Sequence, residues 1–397
     1  MPPLDYQTAG ESHGPALITT ITGLPAGLEL DMDLINTELS RRQGGYGRGG
    51  RMKIETDTME FLCGVRRGRT TGAPLVFSIK NKDSRLDDLE RTPPVYRPRP
   101  GHADLSGSIK WLTTDCRETL ERASARETAS RVGAGAIARC LLRHFGIETF
   151  GFTRQILDAR TDVTVREENW REIKALRDAS DTYCPDEAVT ERQREIIRQA
   201  KIDKDTVGGK VETHVFGLPP GIGSSMDWTT KLDARIAYAV MGIQAFKAVE
   251  MGMGVGVASK PGSEVHDPIY FDSSKMNDPC LGFTRPTNNA GGTEGGMSDG
   301  MPIVVTGTMK PIATLLQGMP SVDLNTKEAD RSQYERSDVC ALSAAGVVME
   351  HAVAFEVARC FCDKFAGDSM IEVESNWMGY LKLARSLPLE PPEQTIA

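Results

Sequence analysis

A short turn sequence that occurs twice constrains the fold of this 397-residue chain more than any other feature. Gly23-Leu-Pro-Ala-Gly27 is followed by Asp33, and Gly217-Leu-Pro-Pro-Gly221 is followed by Asp227 at the same internal spacing. Each copy follows a β-branched run suited to a buried strand and precedes a helical pattern. The repetition of strand, turn and helix indicates an internal duplication, so we expect two related halves that share one core.

Composition and charge exclude several classes of function. Hydrophobic residues make up 39% of the chain, and no apolar run approaches the length needed to span a membrane, so we expect a globular protein without a membrane span. The N-terminal sequence lacks a basic region followed by an apolar core, which favours the cytoplasm. The net charge of −8 argues against a general affinity for nucleic acid. Eight cysteines without a CxxC pair are expected to be reduced thiols.

The stretch from residue 97 to residue 135 concentrates unusual chemistry. Prolines and a glycine interrupt its first half, so Arg99, His102 and Asp104 are predicted to lie on an ordered loop. The second half contains Ser124-Ala-Arg-Glu127, a capping-box pattern that predicts a helix from Ala125 to about Leu142. Arginines flank this helix start, where free backbone amides favour an anion such as phosphate. Ser124 could equally be a cap and nothing more.

A second concentration of arginine lies within a glycine-rich stretch. The stretch contains Arg41, Arg42, Arg48 and Arg51. Its glycine-rich backbone could fold closely over a ligand while the guanidinium groups bind carboxylate or phosphate oxygens. The alternatives are a flexible linker or an RNA-binding glycine-arginine tract. The acidic balance of the chain favours a focused pocket for a small anion over a broad basic surface.

Other segments are less specific. Short β-prone runs between residues 56 and 79 predict antiparallel strands, and the charged residues 166–205 predict two solvent-facing helices with a scaffold role. Residues 285–300 have the glycine and asparagine content of turns built around a ligand. His13 lies in a Gly10-to-Gly14 turn, and Asp338 precedes a long helical pattern, where it could act only as a cap.

Taken together, GESHG, RRQGGYGRGGR, RPGHAD, RASARET, NNAGGTEGG, KPIAT and RSD occur in this order from about residue 5 to residue 363. With these motifs the sequence closely resembles the chorismate synthase family. The resemblance implies an α/β (α+β) fold, a single-domain sandwich with helices between antiparallel sheets and internal pseudo-twofold symmetry, over residues 1–397 with a poorly ordered tail after about residue 386. It also implies a homotetramer without nucleic-acid or membrane partners.

The resemblance implies a reaction as well. The family eliminates phosphate and a ring hydrogen from 5-enolpyruvylshikimate 3-phosphate to give chorismate, the last step of the shikimate pathway, and needs reduced FMN without net oxidation or reduction. By the matching motifs, His13 would protonate the departing phosphate, and His102 would protonate or stabilise the reduced flavin. Asp338 would act as base through flavin N5. Histidine suits the first two roles because its ordinary pKa lies near neutrality.

The same resemblance assigns binding residues. Ser12, Arg42, Arg48 and Arg131 would bind substrate, although Arg42 and Arg48 are also associated with NADPH where a reductase activity exists. The positions implied for flavin contacts are Arg122, Ala123, Ser124, Gln244, Ala245, Gly295, Lys310, Pro311, Ile312, Ala313, Thr314 and Arg336. From composition alone, Lys310 and Thr314 could be ordinary surface residues.

Two rival hypotheses remain at this point. A flavin reductase that uses NADPH would share the anion-binding loops but would need no histidine to protonate phosphate. A protein that binds RNA through the stretch from Gly44 to Arg51 would show salt-sensitive affinity that reports several phosphates.

Overall fold

A computed structural model describes residues 2–49, 56–335 and 337–386 of the protein. The strands are Asp5–Ala9 (β1), Ala16–Thr22 (β2), Glu60–Cys63 (β3), Val65–Arg66 (β4), Arg69–Thr70 (β5), Leu75–Lys80 (β6), Glu148–Ile156 (β7), Ala159–Arg160 (β8), Gly209–Phe216 (β9), Phe246–Met251 (β10), Tyr270–Phe271 (β11), Phe283–Thr284 (β12), Thr293–Glu294 (β13), Met297–Ser298 (β14), Ile303–Met309 (β15), Pro320–Val322 (β16) and Ala329–Arg331 (β17). The α-helices are Met32–Gln43 (α1), Asp104–Trp111 (α2), Arg117–Arg122 (α3), Thr128–His144 (α4), Trp170–Ala179 (α5), Glu187–Ile202 (α6), Leu232–Met241 (α7), Gly262–Val265 (α8), Leu342–Lys364 (α9) and Met370–Arg385 (α10).

Two antiparallel sheets form the frame of the molecule. One has the strand order β1-β2-β6-β3, and the other has the order β10-β15-β9-β7-β8. Strand β15 shows why such segments form half-buried strands, because Ile303 and Val305 face the core while the intervening residues are only partly buried. The strands predicted between residues 56 and 79 are confirmed as β3 to β6.

Helices α4 and α9 lie between the sheets. Helix α4 packs on β1 and β2, α9 packs on β7, β9 and β15, and the two helices pack closely on each other. Their approach requires a small residue, since a Cβ on Gly135 would lie 2.4 Å from His351. Almost every residue of both helices is buried, as their apolar sequences dictate. The predicted class, mixed α and β with antiparallel sheets, is confirmed.

The repeated turn has the predicted local structure in both copies. Gly23 follows β2 with a φ of 77°, and Gly217 follows β9 with a φ of 86°, a left-handed conformation that glycine adopts without a Cβ penalty. Helix α1 begins nine residues after the first of these glycines and α7 fifteen residues after the second. The matched aspartates differ, because Asp33 lies inside α1 whereas Asp227 caps a short 3₁₀ turn. A twofold axis that relates whole halves stays a prediction.

Several boundaries differ from the sequence prediction. The helix expected from Ala125 begins as a 3₁₀ turn, and α4 proper starts at Thr128 and ends at His144. The short helices α2 and α3 were not predicted, and neither was α10, although Ser369 and Glu372 form a capping box at its start. The predicted tail after about residue 386 lies outside the described residues.

The charged residues 166–205 form α5 and α6, as predicted, but one of their arginines is not solvent-facing. Arg177 belongs to α5, and its fully buried side chain donates a hydrogen bond to the carbonyl oxygen of Gly151 in β7 at 2.6 Å. The eight cysteines are free. None of the helices in the described part of the chain combines the length and the apolar character needed to cross a membrane.

Candidate active site

A cleft of about 400 Å³ lies beside the start of α4. Seven segments contribute to its wall: the turn after β1, the end of α1, the loops before α2 and α4, the loop before β10, the end of β15 and the approach to α9. Most of the residues predicted for the site line this cleft, namely Ser12, His13, Arg42, Arg48, His102, Ala123, Ser124, Gln244, Ala245, Lys310, Ile312, Ala313, Thr314 and Asp338. The tertiary structure therefore gathers residues that lie as much as 326 positions apart in the sequence, from Ser12 to Asp338.

Four predicted residues do not line the cleft. Arg122 donates hydrogen bonds to the carbonyl oxygens of Thr8 and Gly10, and Arg131 pairs with Glu127 at 2.9 Å. Gly295 lies in the turn between β13 and β14, and Pro311 follows Lys310 without facing the cavity. Arg336 lies outside the described residues. The ligand contacts assigned to these five positions stay predictions.

His13 is held by a carboxylate from another segment. Its Nδ1 lies 2.8 Å from one Glu121 oxygen, and its backbone amide donates to the other oxygen at 2.8 Å. Burial by itself would raise the pKa of Glu121, but the hydrogen bonds and charge of His13, together with Arg117, lower it below the ordinary value. Glu121 is therefore an ionised acceptor that orients the imidazole. The other ring nitrogen, Nε2, lies 3.3 Å from the Arg85 guanidinium, which also lines the cleft.

His102 has a carboxylate partner two residues away. Its Nδ1 forms a short hydrogen bond with Asp104, whose side chain is fully buried at the start of α2. The Arg99 side chain binds the same carboxylate through Nε at 2.8 Å and a terminal nitrogen at 3.1 Å. Burial opposes ionisation, yet these hydrogen bonds and charges hold the pKa of Asp104 well below its usual range. The predicted loop is thus a buried ion cluster with His102 at its edge.

Asp338 does not cap α9. Its side chain accepts a hydrogen bond from the Gly49 amide at 2.6 Å and pairs with Arg48 at 2.8 Å. We call residues 41–49 the arginine loop, because they carry Arg41, Arg42 and Arg48 from the end of α1 to this carboxylate. The loop and the approach to α9 therefore form one corner of the cleft, in which a cation and a carboxylate are in direct contact.

Buried charges also form the floor of the cleft. Asp57, with no exposed side-chain surface, lies 2.5 Å from a nitrogen of Arg42 and 2.5 Å from a nitrogen of Arg126. Two guanidinium groups thus share one carboxylate beside the cavity. Burial works against ionisation of Asp57, but both arginines hold its pKa below the ordinary value.

The helix start predicted as an anion site has a different arrangement. Ser124 accepts a hydrogen bond from the Arg126 amide at 3.3 Å, which confirms it as a cap. The capping box is incomplete, because the Glu127 carboxylate turns to Thr8, Arg131 and Gln244. The Ser124 hydroxyl also donates to that of Ser12 at 3.1 Å, so the cap belongs to the wall of the cleft as well. An anion held between the two flanking arginines is not supported, since Arg126 turns to Asp57.

The loop before β10 and the residues after β15 form another part of the wall and carry an amide and an ammonium group. The Lys310 ammonium donates to the carbonyl oxygen of Gly101, and burial together with the nearby Lys247 lowers its pKa. Gln244 places a buried Oε1 against the cavity that has no hydrogen-bond partner among the described residues. Ala245 adopts a φ of 67°, a strained conformation for a residue with a Cβ. Strain and unpaired polar atoms of this kind tend to occur at ligand sites.

The charges around the cavity indicate the class of ligand. The basic residues in its lining are Arg42, Arg48, Arg85, Arg99, Arg126 and Lys310, and the acidic ones are Glu335 and Asp338. A concave site with this excess of cations favours an anion with several oxygens. Within the described residues, no group of three or more acidic, histidine or cysteine side chains could hold a metal ion.

Sequence reasoning missed several residues that complete the site. Glu121, Arg85 and Asp57 were not singled out, and among these three only Glu121 lies in the stretch from residue 97 to residue 135 that was. Each belongs to a charged run or a polar loop without a distinctive motif, so only proximity in the fold reveals it. A signal existed for Glu121 alone, since it lies three residues before Ser124 in the same stretch.

Comparisons with known proteins point to one family. Residues 4–362 match the family described as chorismate synthase. A chorismate synthase of Geobacter sulfurreducens is 48% identical over 394 residues, covering 96% of this chain and the whole of that protein. One of Desulforamulus reducens is 48% identical over 383 residues, covering 94% of this chain and 97% of the other. A crystal structure of chorismate synthase superposes with a TM-score of 0.78 at 35% identity and covers 96% of this chain and 98% of that chain.

Proposed function

The chain belongs to the chorismate synthase family and is a carbon–oxygen lyase of aromatic amino acid biosynthesis, and we propose that its cleft converts 5-enolpyruvylshikimate 3-phosphate to chorismate and phosphate. One observation carries this proposal. His13, oriented by the ionised Glu121, opens into a cavity whose walls are rich in arginine. Such an arrangement suits a proton donor beside a departing phosphate.

The phosphate end of the reaction is assigned to the His13 side of the cleft. Protonated His13 donates the proton on Nε2 to the leaving phosphate oxygen, while Glu121 stabilises the imidazolium from Nδ1. Arg85 lies beside Nε2, and we assign it to binding the phosphate charge as it develops, although it also pairs with Asp83 at 3.3 Å in this structure. Arg42 and Arg48 contribute positive potential, although each also has a carboxylate partner in this structure.

We assign Asp338 as the base for the ring hydrogen that is lost in the reaction. Its carboxylate lies in the cleft, where it can accept a proton only if it exchanges part of its contact with Arg48. Substrate that draws Arg48 toward a carboxylate or phosphate would release Asp338 for this role. The elimination is then balanced, because the phosphate leaves with the bonding electrons of its C–O bond and the ring hydrogen leaves as a proton.

The part of the cleft formed by Gln244 and by the residues after β15 fits the reduced FMN that the family requires. Gln244 Oε1 is a buried acceptor without a partner among the described residues, and it suits an N–H group at the edge of a flavin ring. Lys310 and Thr314 carry donors for the polar parts of the molecule, and the Ser124 hydroxyl carries an acceptor oxygen. When bound, reduced FMN supplies an electron-rich ring that assists loss of phosphate without net oxidation or reduction. His102 is then a proton donor toward that ring, and NADPH is a possible source of electrons.

An anaerobic assay tests the reaction. Purified protein is mixed with chemically reduced FMN and 5-enolpyruvylshikimate 3-phosphate, and phosphate release and chorismate absorbance are followed together. Equal amounts of both products are expected. Folded, flavin-binding protein that forms neither product would contradict the proposal. The same assay with oxidised FMN and NADPH alone shows whether the protein reduces its own flavin. A homotetramer, a cytoplasmic location and a lack of nucleic-acid and membrane partners stay predictions.

A further inference from the structure

The charged residues 166–205 contact the arginine loop, although the sequence assigned them only a scaffold role. The Tyr183 hydroxyl donates to the carbonyl oxygen of Arg41 at 3.0 Å, at the end of α1. The Tyr46 amide donates to the carbonyl oxygen of Asp181 at 2.7 Å. These hydrogen bonds hold the loop on both sides of Arg42 and two residues before Arg48.

Close packing explains the glycines of the loop. A Cβ on Gly44 would lie 2.5 Å from the Tyr183 hydroxyl oxygen, and a Cβ on Gly47 would lie 2.8 Å from Ile197 in α6. Real side chains do not approach so closely, so the glycines are required by contact with residues 183–197. Gly44 and Gly47 therefore have a packing role, and the expectation that the loop closes over a ligand stays a prediction.

Helix α5 reaches the same loop through buried charges. The Arg177 guanidinium lies 3.6 Å from a carboxylate oxygen of Glu350 in α9. Glu350 in turn pairs with Arg41 at 3.0 Å and with Arg139 at 3.1 Å. Arg41 is thus fixed through its backbone by Tyr183 and through its side chain by Glu350, and the next residue in the chain lines the cleft.

Tyr183 is itself held firmly. Its φ of 58° is unfavourable for a residue with a side chain, and such a conformation persists only where its surroundings impose it. The Thr153 amide donates to its carbonyl oxygen at 2.8 Å, which links it to strand β7. Burial raises the pKa of Tyr183, so its hydroxyl stays protonated and able to donate at neutral pH.

We propose that Tyr183 is a positioning residue for the arginine loop, and that through its hydrogen bond to Arg41 it sets how tightly Arg42 and Arg48 bind the phosphorylated substrate. The proposal rests on the proposed function of the cleft. It gives the charged stretch a place in substrate binding, because a rigid element outside the cleft reduces the freedom that the arginines would otherwise lose on binding.

The test removes the Tyr183 hydroxyl and compares this variant with one that lacks a tyrosine hydroxyl elsewhere in the protein. Tyr183→Phe keeps the ring and removes the donor to Arg41. Tyr380→Phe is the control, because the Tyr380 hydroxyl also donates to a backbone carbonyl oxygen, that of Pro220 at 2.6 Å, but lies in α10 and does not line the cleft. KM and kcat for 5-enolpyruvylshikimate 3-phosphate are measured with saturating reduced FMN, and amide hydrogen exchange is measured for residues 44–49.

Tyr183→Phe is expected to raise KM roughly threefold to tenfold, as the loss of one hydrogen bond predicts, with kcat changed by less than about twofold. Exchange of the loop amides should accelerate in this variant alone. The proposal is overturned if KM and loop exchange stay at wild-type values, or if both variants raise KM equally. If the wild-type protein forms no chorismate, the proposed function fails, whereas the exchange comparison still decides whether Tyr183 holds the loop.

Discussion

Both histidines of the cleft pair with a carboxylate through Nδ1, but the two carboxylates come from different places in the chain. His13 binds Glu121 from a segment 108 residues away, and Glu121 also accepts the His13 backbone amide. His102 binds Asp104 two residues along, and Arg99 takes up the same carboxylate. The His13 side chain is 11% exposed and that of His102 is 21% exposed.

This difference indicates that Glu121 acts mainly on the chemistry of His13, whereas Asp104 acts mainly on the stability of the fold. Most of the hydrogen-bonding capacity of Glu121 goes to His13, so this carboxylate responds to the protonation of one imidazole. Asp104 neutralises a buried arginine as well, so its loss would leave a buried cation without its partner. We therefore expect changes at His13 and Glu121 to act mainly on turnover and a change at Asp104 to act mainly on stability.

Replacement of His13 has the largest expected effect. His13→Ala should lower kcat by about 10²- to 10⁴-fold, because a general acid contributes that much to a proton transfer. Binding of FMN should persist, as measured by flavin fluorescence. His144→Ala is the control, since this histidine also pairs with a glutamate, Glu374 at 2.7 Å, but at the surface. Unchanged turnover in the His13 variant would favour the flavin reductase hypothesis.

Glu121→Gln tests whether the carboxylate acts through His13. The Gln amide has one acceptor oxygen for three donors, the imidazole, the His13 backbone amide and, at 3.5 Å, the Arg117 guanidinium, and it carries no charge. Turnover should fall roughly 10- to 100-fold, a part of the full general-acid contribution. The pH profile of kcat should also move, because the imidazolium loses a stabilising charge. An equal fall in activity at every pH would indicate a packing defect.

Asp104→Asn should cost more stability than activity. Arg99 would remain buried with a weaker partner, and breaking such a pair costs about 3 to 5 kcal/mol. Because the folded pKa of Asp104 is lowered from 3.8, its contribution is fully present above pH 3.8 and is lost as the pH falls below that value. Denaturant unfolding at neutral and acidic pH measures the difference. Equal stability of variant and wild type at pH 7 would contradict this account.

Glu356 is a buried carboxylate outside the cleft that can be compared with Glu121 and Asp104, and its replacement has no expected effect on turnover. This carboxylate in α9 is buried with its nearest arginine nitrogen, on Arg359, at 3.6 Å, and burial raises its pKa to about 7. Its protonated form is preferred on folding, so stability falls as the pH rises from 4.5 through 7. Glu356→Gln should remove this fall, which is on the order of 3 kcal/mol. Thermal unfolding of both proteins at pH 5 and pH 8 measures it, and parallel changes would rule out ionisation of Glu356.

Local sequence patterns predicted much of the fold. The strands around residues 56–79, the helices in residues 166–205 and the repeated turn follow from period, composition and glycine placement, which act over a few residues. The boundary of α4 was misplaced because Ser124 and Glu127 match a capping box in sequence, whereas Glu127 finds Thr8 and Gln244 in space. Tertiary partners outcompeted the local pairing.

The motifs GESHG, RPGHAD and RSD identified His13, His102 and Asp338 as functional candidates through their resemblance to the family, whereas by local pattern alone His13 could be an ordinary turn residue and Asp338 a cap. Only the tertiary structure decided that Glu121 orients His13 and that Arg48 forms an ion pair with Asp338. It also decided that glycines of the arginine loop pack against Tyr183 and Ile197. The physical reason is range: turns, strands and helices depend on neighbours along the chain, whereas an ion pair or a packing contact depends on residues that approach only after the sheets close around α4 and α9.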